Sequence, residues 1–221
     1  MSAASKSSTI ILSTLALSAL LAGIGYMEGD IVDQFGEGKP GTIASVLLLL
    51  ALSYVSFKIY RARRDRSVHW LRETCFVWLV IAGGFFFLAM DDALKFHEGM
   101  DKAFHSSLDV KETALSDRLD DLIVGIYILI GAGVIYLYRA EFRRYPFLKG
   151  YLIIGFAIVI LQTILDVASN DVLVFTWLGV PEQNAVFAKD VVRMLEEVAK
   201  LMAEAVFLCG FLQVLNAVRA E

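Results

Sequence analysis

The sequence predicts an all-α integral membrane protein, a six-helix transmembrane bundle with its N and C termini in the cytoplasm. The chain has 221 residues, of which 57% are hydrophobic, and its mean hydropathy is +0.64. Soluble domains are usually about 45–50% apolar. The charged residues lie almost wholly between long apolar runs, which lack the alternation of barrel strands. Because lipid offers backbone amides no partner, each run must be helical, and we treat residues 1–221 as one domain.

Six apolar runs approach the length of about 20 residues that a helix needs to cross a hydrocarbon core. They cover residues 9–27, 43–60, 74–90, 122–138, 148–166 and 191–217. The first run could imitate a secretory signal, but no small-x-small cleavage site precedes the acids that follow it, so we expect it to be retained. Pro181-Glu182 suits the first turn of the last helix. That helix would then run for about 36 residues, longer than one bilayer crossing requires.

Basic and acidic connections alternate between the runs. The second and fourth connections are basic, whereas residues 28–39, 91–121 and 166–190 hold 17 of the 24 acids. The positive-inside rule therefore places the basic connections and both termini in the cytoplasm. We expect a protein of a bacterial inner membrane whose acids collect at the outer ends of its helices.

The acids at the end of the third run are the first candidates for function. An acid within a bilayer is costly, so it usually faces the bundle interior and marks a site for cations, protons or catalysis. Asp91 and Asp92 end this run, and His97 and Glu98 follow. Carboxylates with an imidazole at helical spacing suit Mn, Fe, Mg or Ca, and zinc fits a catalytic site with an open position. The alternative interpretation is a polar helix end that protrudes into water.

The fifth run ends in a polar stripe. Gln162, Asp166 and Asn170 are spaced by four residues on an otherwise apolar helix. Such stripes face other helices rather than lipid. Asp166 is therefore a candidate buried acid.

The last run opens with a mixed-charge segment. Glu196, Lys200 and Glu204 are spaced by four, so we expect Lys200 to pair with both acids. This pairing would leave Glu197 available for a site. The Glu-Glu-x-x-Lys string resembles the first motif of the glutamic intramembrane proteases, which are related to the CAAX-processing enzymes. The match covers these residues alone, and no histidine follows them as in those families, so we draw no activity from it.

We predict that five residues converge in one polar cavity in the outer half of the bundle and bind a divalent metal ion. The predicted metal ligands are Asp92, His97, Glu98, Asp166 and Glu197. Glu98 and Glu197 are the predicted catalytic residues.

Three functions are compatible with this cavity. In the first, a metal-bound water of lowered pKa makes the protein a hydrolase for a lipid or lipid-linked substrate. In the second, the same acids serve a cation or proton transporter, channel or sensor. In the third, the polar seam only holds the helices of a structural subunit together. The expected partners are membrane lipids and a lipid or small-cation substrate, not nucleic acid, and the oligomeric state is left open.

Two further residue types give structural predictions. Gly83, Gly84, Gly131 and Gly133 are expected at close contacts between helices. The two cysteines lie near the basic ends of predicted spans. They are expected to be free, small apolar residues rather than a disulfide.

Overall fold

The computed structural model describes residues 3–36, 38–65, 73–94 and 119–220, and these form a bundle of α-helices. The helices are α1 (Ala3–Glu28), α2 (Pro40–Arg63), α3 (Phe76–Leu94), α4 (Leu119–Leu137), α5 (Arg139–Phe142), α6 (Leu148–Ser169), α7 (Val172–Trp177) and α8 (Glu182–Ala220). One turn of 3-10 helix, Asp33–Phe35, lies between α1 and α2. The described ranges contain no strand, which confirms the predicted all-α class.

Each of the six predicted runs falls on one of the six long helices. Five segments are long and apolar enough to cross a membrane: Ser7–Glu28, Asp33–Arg63, Phe76–Leu94, Leu148–Ser169 and Glu182–Ala220. The sixth predicted span is α4, a helix of 19 residues. The count of six spans and the cytoplasmic position of the termini stay predictions.

Helix α8 is the centre of the bundle. It has 39 residues and contacts α1, α2, α6 and α7. Its first residue follows Pro181, as the sequence predicts, because proline fits the start of a helix. At about 1.5 Å per residue it is roughly 58 Å long, against a hydrocarbon core of about 30 Å. Its middle, from Leu201 to Phe211, is almost entirely buried.

The core between α2, α3, α6 and α8 is rich in aromatic rings. Trp78 is fully buried and packs edge-on against Phe142 and Phe211, with ring centroids 5.6 and 5.3 Å away. Phe85 continues the series, 6.0 Å from Phe211 and 6.5 Å from Phe207. Edge-to-face contacts of this kind add about 0.5–1.5 kcal/mol each to the burial of the rings. They fix the position of α8 against α3.

Glycines let α6 and α8 approach closely. A Cβ atom at Gly155 would lie 2.7 Å from Cζ of Phe207, and one at Gly210 would lie 2.8 Å from Cβ of Tyr151. Both distances are too short for a real side chain. The two helices therefore need glycine at these positions.

Most of the glycines that we expected at close contacts between helices do not make such contacts. Gly83, Gly84 and Gly133 have no atom of the described residues within 4 Å of where a Cβ would lie. Gly131 makes only an ordinary contact, 3.7 Å from the ring of Phe156. Among the described residues the prediction is wrong for Gly83, Gly84 and Gly133, because a glycine in an apolar run carries no information about which face of the helix meets a neighbour.

A buried seam attaches α1 to the bundle. The buried residues of α1 repeat at intervals of three, four or seven, as expected for a helix packed along one stripe. They are Ser7, Thr14, Ser18, Leu21 and Gly25. The large apolar side chains on its other faces are exposed. This division suits a helix that meets α8 on one side and lipid on the other.

One buried glutamate ties together the ends of α2, α3 and α5. The Glu141 side chain is 0% exposed and accepts hydrogen bonds from Arg63 Nε at 3.1 Å, Thr74 Oγ1 at 2.8 Å and Trp78 Nε1 at 3.4 Å. Arg144 Nε lies 3.5 Å from its second oxygen. This network holds the basic ends of three helices on one side of the bundle.

Both cysteines are free and buried, as predicted. Cys75 lies immediately before α3 and Cys209 lies in the middle of α8. Cys75 donates its S–H to a carboxylate oxygen of Glu73 at 2.9 Å. Each behaves as a small core residue rather than as half of a disulfide.

Candidate ion-binding site

Three helices bring a lysine, two acids and a serine together in the bundle. Lys200 and Glu204 lie one turn apart on α8, Asp92 lies near the end of α3, and Ser45 lies in the first half of α2. Lys200 Nζ is 2.8 and 3.0 Å from the two carboxylate oxygens of Asp92. Ser45 Oγ is 2.7 Å from Asp92 Oδ2 and also 2.7 Å from Glu204 Oε1. These four side chains form a continuous chain of hydrogen bonds, which we call the ionic chain.

The ionic chain corrects the predicted partner of Lys200. Equal spacing along α8 led us to expect pairs with Glu196 and Glu204. The structure places Lys200 in direct contact with Asp92, 108 positions away in sequence, whereas Glu204 interacts with Lys200 by charge without a salt bridge. The carboxylate of Asp92 approaches from α3 with both oxygens toward the ammonium group.

Glu204 is the most deeply buried acid of the ionic chain. The residue is 6% exposed and Ser45 is 2% exposed. Its Oε1 meets Ser45, whereas its Oε2 is buried with no hydrogen-bond partner among the described residues. A buried carboxylate oxygen without a partner is costly, so this atom marks a place where a proton or a cation would be stabilising.

A groove leads from the surface to Asp92. It has a volume of about 400 Å³, within the usual range of small-ligand sites. Asp92 is the one acid among its described lining residues, which are otherwise Gly38, Thr42, Ile43, Val46, Leu47 and Ala93. The side chain of Asp92 is 18% exposed. Asp92 is therefore the member of the ionic chain that solvent reaches through this groove.

A second acidic group lies where α6 meets α8. Glu196 Oε1 is 3.5 Å from Gln162 Nε2, and its charge interacts with that of Asp166. Gln162 and Asp166 of the predicted stripe thus face another helix, as predicted, whereas Asn170 is exposed. Glu197 interacts instead with Lys200 and Asp92. Asp166 of α6 thus lies near Glu196, and Glu196 also interacts with Glu197 on α8.

The predicted metal site stays a prediction. Two of its ligands, His97 and Glu98, lie outside the described residues, and so does one of the two predicted catalytic residues. Asp92, a third ligand, is held by Lys200 and Ser45. Across the described ranges, no group of three or more His, Cys, Asp or Glu side chains is arranged to hold a metal ion.

A separate polar contact lies further along α8. Gln213 Nε2 donates to Tyr151 Oη and to Ser7 Oγ, the latter at 3.3 Å. Cys209 donates to the backbone oxygen of Ser7 at 3.5 Å. We call this the inner polar contact. It lies about 13 Å along the helix axis from Glu204.

Sequence reasoning missed Ser45, which connects the acids. Three serines of α2 are hydrogen-bonded side chains: Ser53 donates to the backbone of Ala82 at 2.8 Å, and Ser56 to Leu52 of its own helix at 2.8 Å. All three sit in the same apolar run. The only local signal is that Ser45 lies near the predicted outer end of its helix, at the depth of the acids.

The fold and site define an all-helical protein with five helices long and apolar enough to cross a membrane and with charged side chains inside the bundle. The chain belongs to the family described as "Domain of unknown function (DUF8692)", whose model matches residues 9–215. The match covers all six long helices. Searches among curated proteins and among solved structures return no significant match.

Proposed function

We propose that the protein is an integral membrane protein of six spans that carries protons across the membrane through the ionic chain. Five apolar helices and the apolar sequence of α4 support its insertion in a bilayer. The large exposed apolar side chains of α1 and α6 would face lipid. This choice follows the transporter interpretation of the sequence rather than the hydrolase interpretation.

The ionic chain is the observation that carries this proposal. Placing ions inside a bundle costs several kcal/mol each, and an apolar replacement is often no less stable. Stability alone therefore does not explain Lys200, Asp92 and Glu204 at one depth. Chains of acids and hydrogen-bonding groups in a membrane are the usual means of proton transfer.

The arrangement along α8 also suits transport. The ionic chain meets the groove at one end, and the inner polar contact lies toward the other. Between them Phe207, Leu208 and Phe211 are all buried, and apolar constrictions of this kind block water and ions. The protein as described would thus be closed between its two polar regions, as a transporter must be at one stage of its cycle.

Flux measurements on reconstituted protein test the proposal. Vesicles contain a pH-sensitive dye, and a potassium diffusion potential drives protons inward. We expect wild type to acidify the lumen faster than empty vesicles and Asp92→Asn to abolish the difference. Asp171→Asn is the matched control, because this exposed acid only caps α7 and asparagine caps equally well. Equal rates for wild type and Asp92→Asn would overturn the proposal.

A further inference from the structure

The Ser45 hydroxyl lies between two acids of the ionic chain. Ser45 Oγ lies 2.7 Å from an oxygen of Asp92 and 2.7 Å from an oxygen of Glu204. A hydroxyl group has one hydrogen and can donate it to one acceptor only. Two oxygen atoms this close without a hydrogen between them would repel each other. One of the two acids must therefore donate a hydrogen bond to Ser45, and a carboxyl group can do so only when it is protonated.

The surroundings decide which acid holds this proton. Asp92 receives the ammonium group of Lys200 on both oxygens, which stabilises its charged form. Glu204 is 6% exposed, and its other oxygen has no partner in the described part of the chain. The charged neighbours of Glu204 are Lys200, whose positive charge favours the ionised form, and the like charges of Asp92 and Glu197. Because the ammonium group of Lys200 is paired with Asp92, burial, which is the largest effect, and the two like charges outweigh it and favour the neutral form of Glu204.

We infer that Glu204 holds a proton inside the bundle and that the Ser45 hydroxyl passes protons between Glu204 and Asp92, which opens to the groove. This inference deepens the proposed function. Only the role of the proton in transport depends on that proposal; the position of the proton and the relay through Ser45 do not. In the described arrangement Glu204 donates to Ser45 Oγ, and Ser45 donates to Asp92.

Transfer conserves both atoms and charge. To release a proton outward, Ser45 gives its hydrogen to Asp92 and receives the hydrogen of Glu204, so the hydroxyl is restored. Asp92 then loses the proton to water in the groove. Uptake is the reverse sequence. Lys200 stays protonated throughout and keeps Asp92 within reach of Ser45, so it is a positioning residue.

Infrared difference spectroscopy tests the inference without any flux. We expect wild-type protein in nanodiscs at neutral pH to show the C=O stretch of a protonated carboxylic acid. The band should be absent from Glu204→Gln, and labelling with ¹³C-glutamate should shift it in the wild-type protein itself. The labelling experiment keeps the inference testable if the variant does not fold. A wild-type spectrum without a glutamic acid band would overturn it.

Exchange in D₂O tests the part played by Ser45. Removing the hydroxyl with Ser45→Ala should slow deuteration of the Glu204 band by about 100-fold, the lower end of what a positioned proton-transfer group contributes. Ser45→Thr should restore fast exchange. Ser53→Ala is the matched control, because Ser53 lies on the same helix and bonds to α3 outside the ionic chain. Equal exchange in Ser45→Ala and Ser53→Ala would overturn the relay. If wild-type protein shows the glutamic acid band but no proton flux above that of empty vesicles, only the proposed function is refuted.

Discussion

Replacing Glu141 by alanine should destabilise the protein more than any change to its exposed charged residues. The side chain is 0% exposed and serves as acceptor for Arg63, Thr74 and Trp78. Alanine removes the acceptor of the buried Trp78 indole N–H and of the Thr74 hydroxyl, and one partner of the largely buried Arg63 guanidinium. Removing one member of a buried ion pair costs about 3–5 kcal/mol. For a chain of this size that corresponds to a fall in Tm of roughly 6–20 °C.

The cysteines of the chain supply the assay. Cys209 is 0% exposed, so a thiol-reactive fluorogenic dye reports unfolding in a Cys75→Ser background. Arg144→Ala is the matched control: the Arg144 side chain is 54% exposed and lies 3.5 Å from Glu141, and exposed pairs contribute only about 0–1 kcal/mol. If Glu141→Ala melts within a degree or two of Arg144→Ala, the buried network does not hold the three helix ends together.

Three further predictions concern packing, the membrane interface and a buried thiol. Gly155→Ala should lower stability by about 1–3 kcal/mol through overpacking. Gly150→Ala on the same helix should not, because a Cβ added there would meet open space. Equal melting temperatures of the two variants would contradict the close contact at Gly155. Trp177 is 94% exposed and is the last residue of the apolar helix α7. Brominated lipid should therefore quench its fluorescence when the other tryptophans are replaced by phenylalanine; an unquenched signal would place it in water. Burial, and then the carboxylate of Glu73, raises the pKa of the Cys75 thiol to about 12. The folded state thus holds this proton more tightly than the unfolded chain, so stability should fall as pH rises above about 9 toward 12, and Cys75→Ser should flatten that decline.

The sequence was sufficient to place the helices. Apolar runs and backbone hydrogen bonds are local properties, so each of the six predicted runs lies on a long helix. The start of the last helix at Glu182 could also be predicted from the sequence, because Pro181 favours the start of a helix through local backbone geometry alone. The polar stripe through Gln162 and Asp166 faces α8 for the same reason, since spacing along one helix fixes a face.

Partners across helices were not readable in this way. The i±4 neighbours of Lys200 are visible in the sequence, but its acceptor, Asp92, is brought near only because α3 and α8 both pack against α2. Glu141 looked like a lone acid in a basic connection, although it is one of the largest fully buried side chains. Nor could the glycine pattern distinguish Gly155, which meets a ring, from glycines with open space. Each of these depends on which residue of a distant helix arrives at the same depth.

The single unbroken α8 restricts how the protein can move. Lys200, Glu204 and Gln213 are carried on one helix of 39 residues, with no proline inside it at which it would bend. A rotation or axial shift of this helix displaces its outer and inner side chains together and by the same amount. Separation of Lys200 from Asp92 by such a shift would therefore also disturb the contact of Gln213 with Tyr151. The two faces of the membrane would be linked mechanically, without any intervening chain of polar contacts.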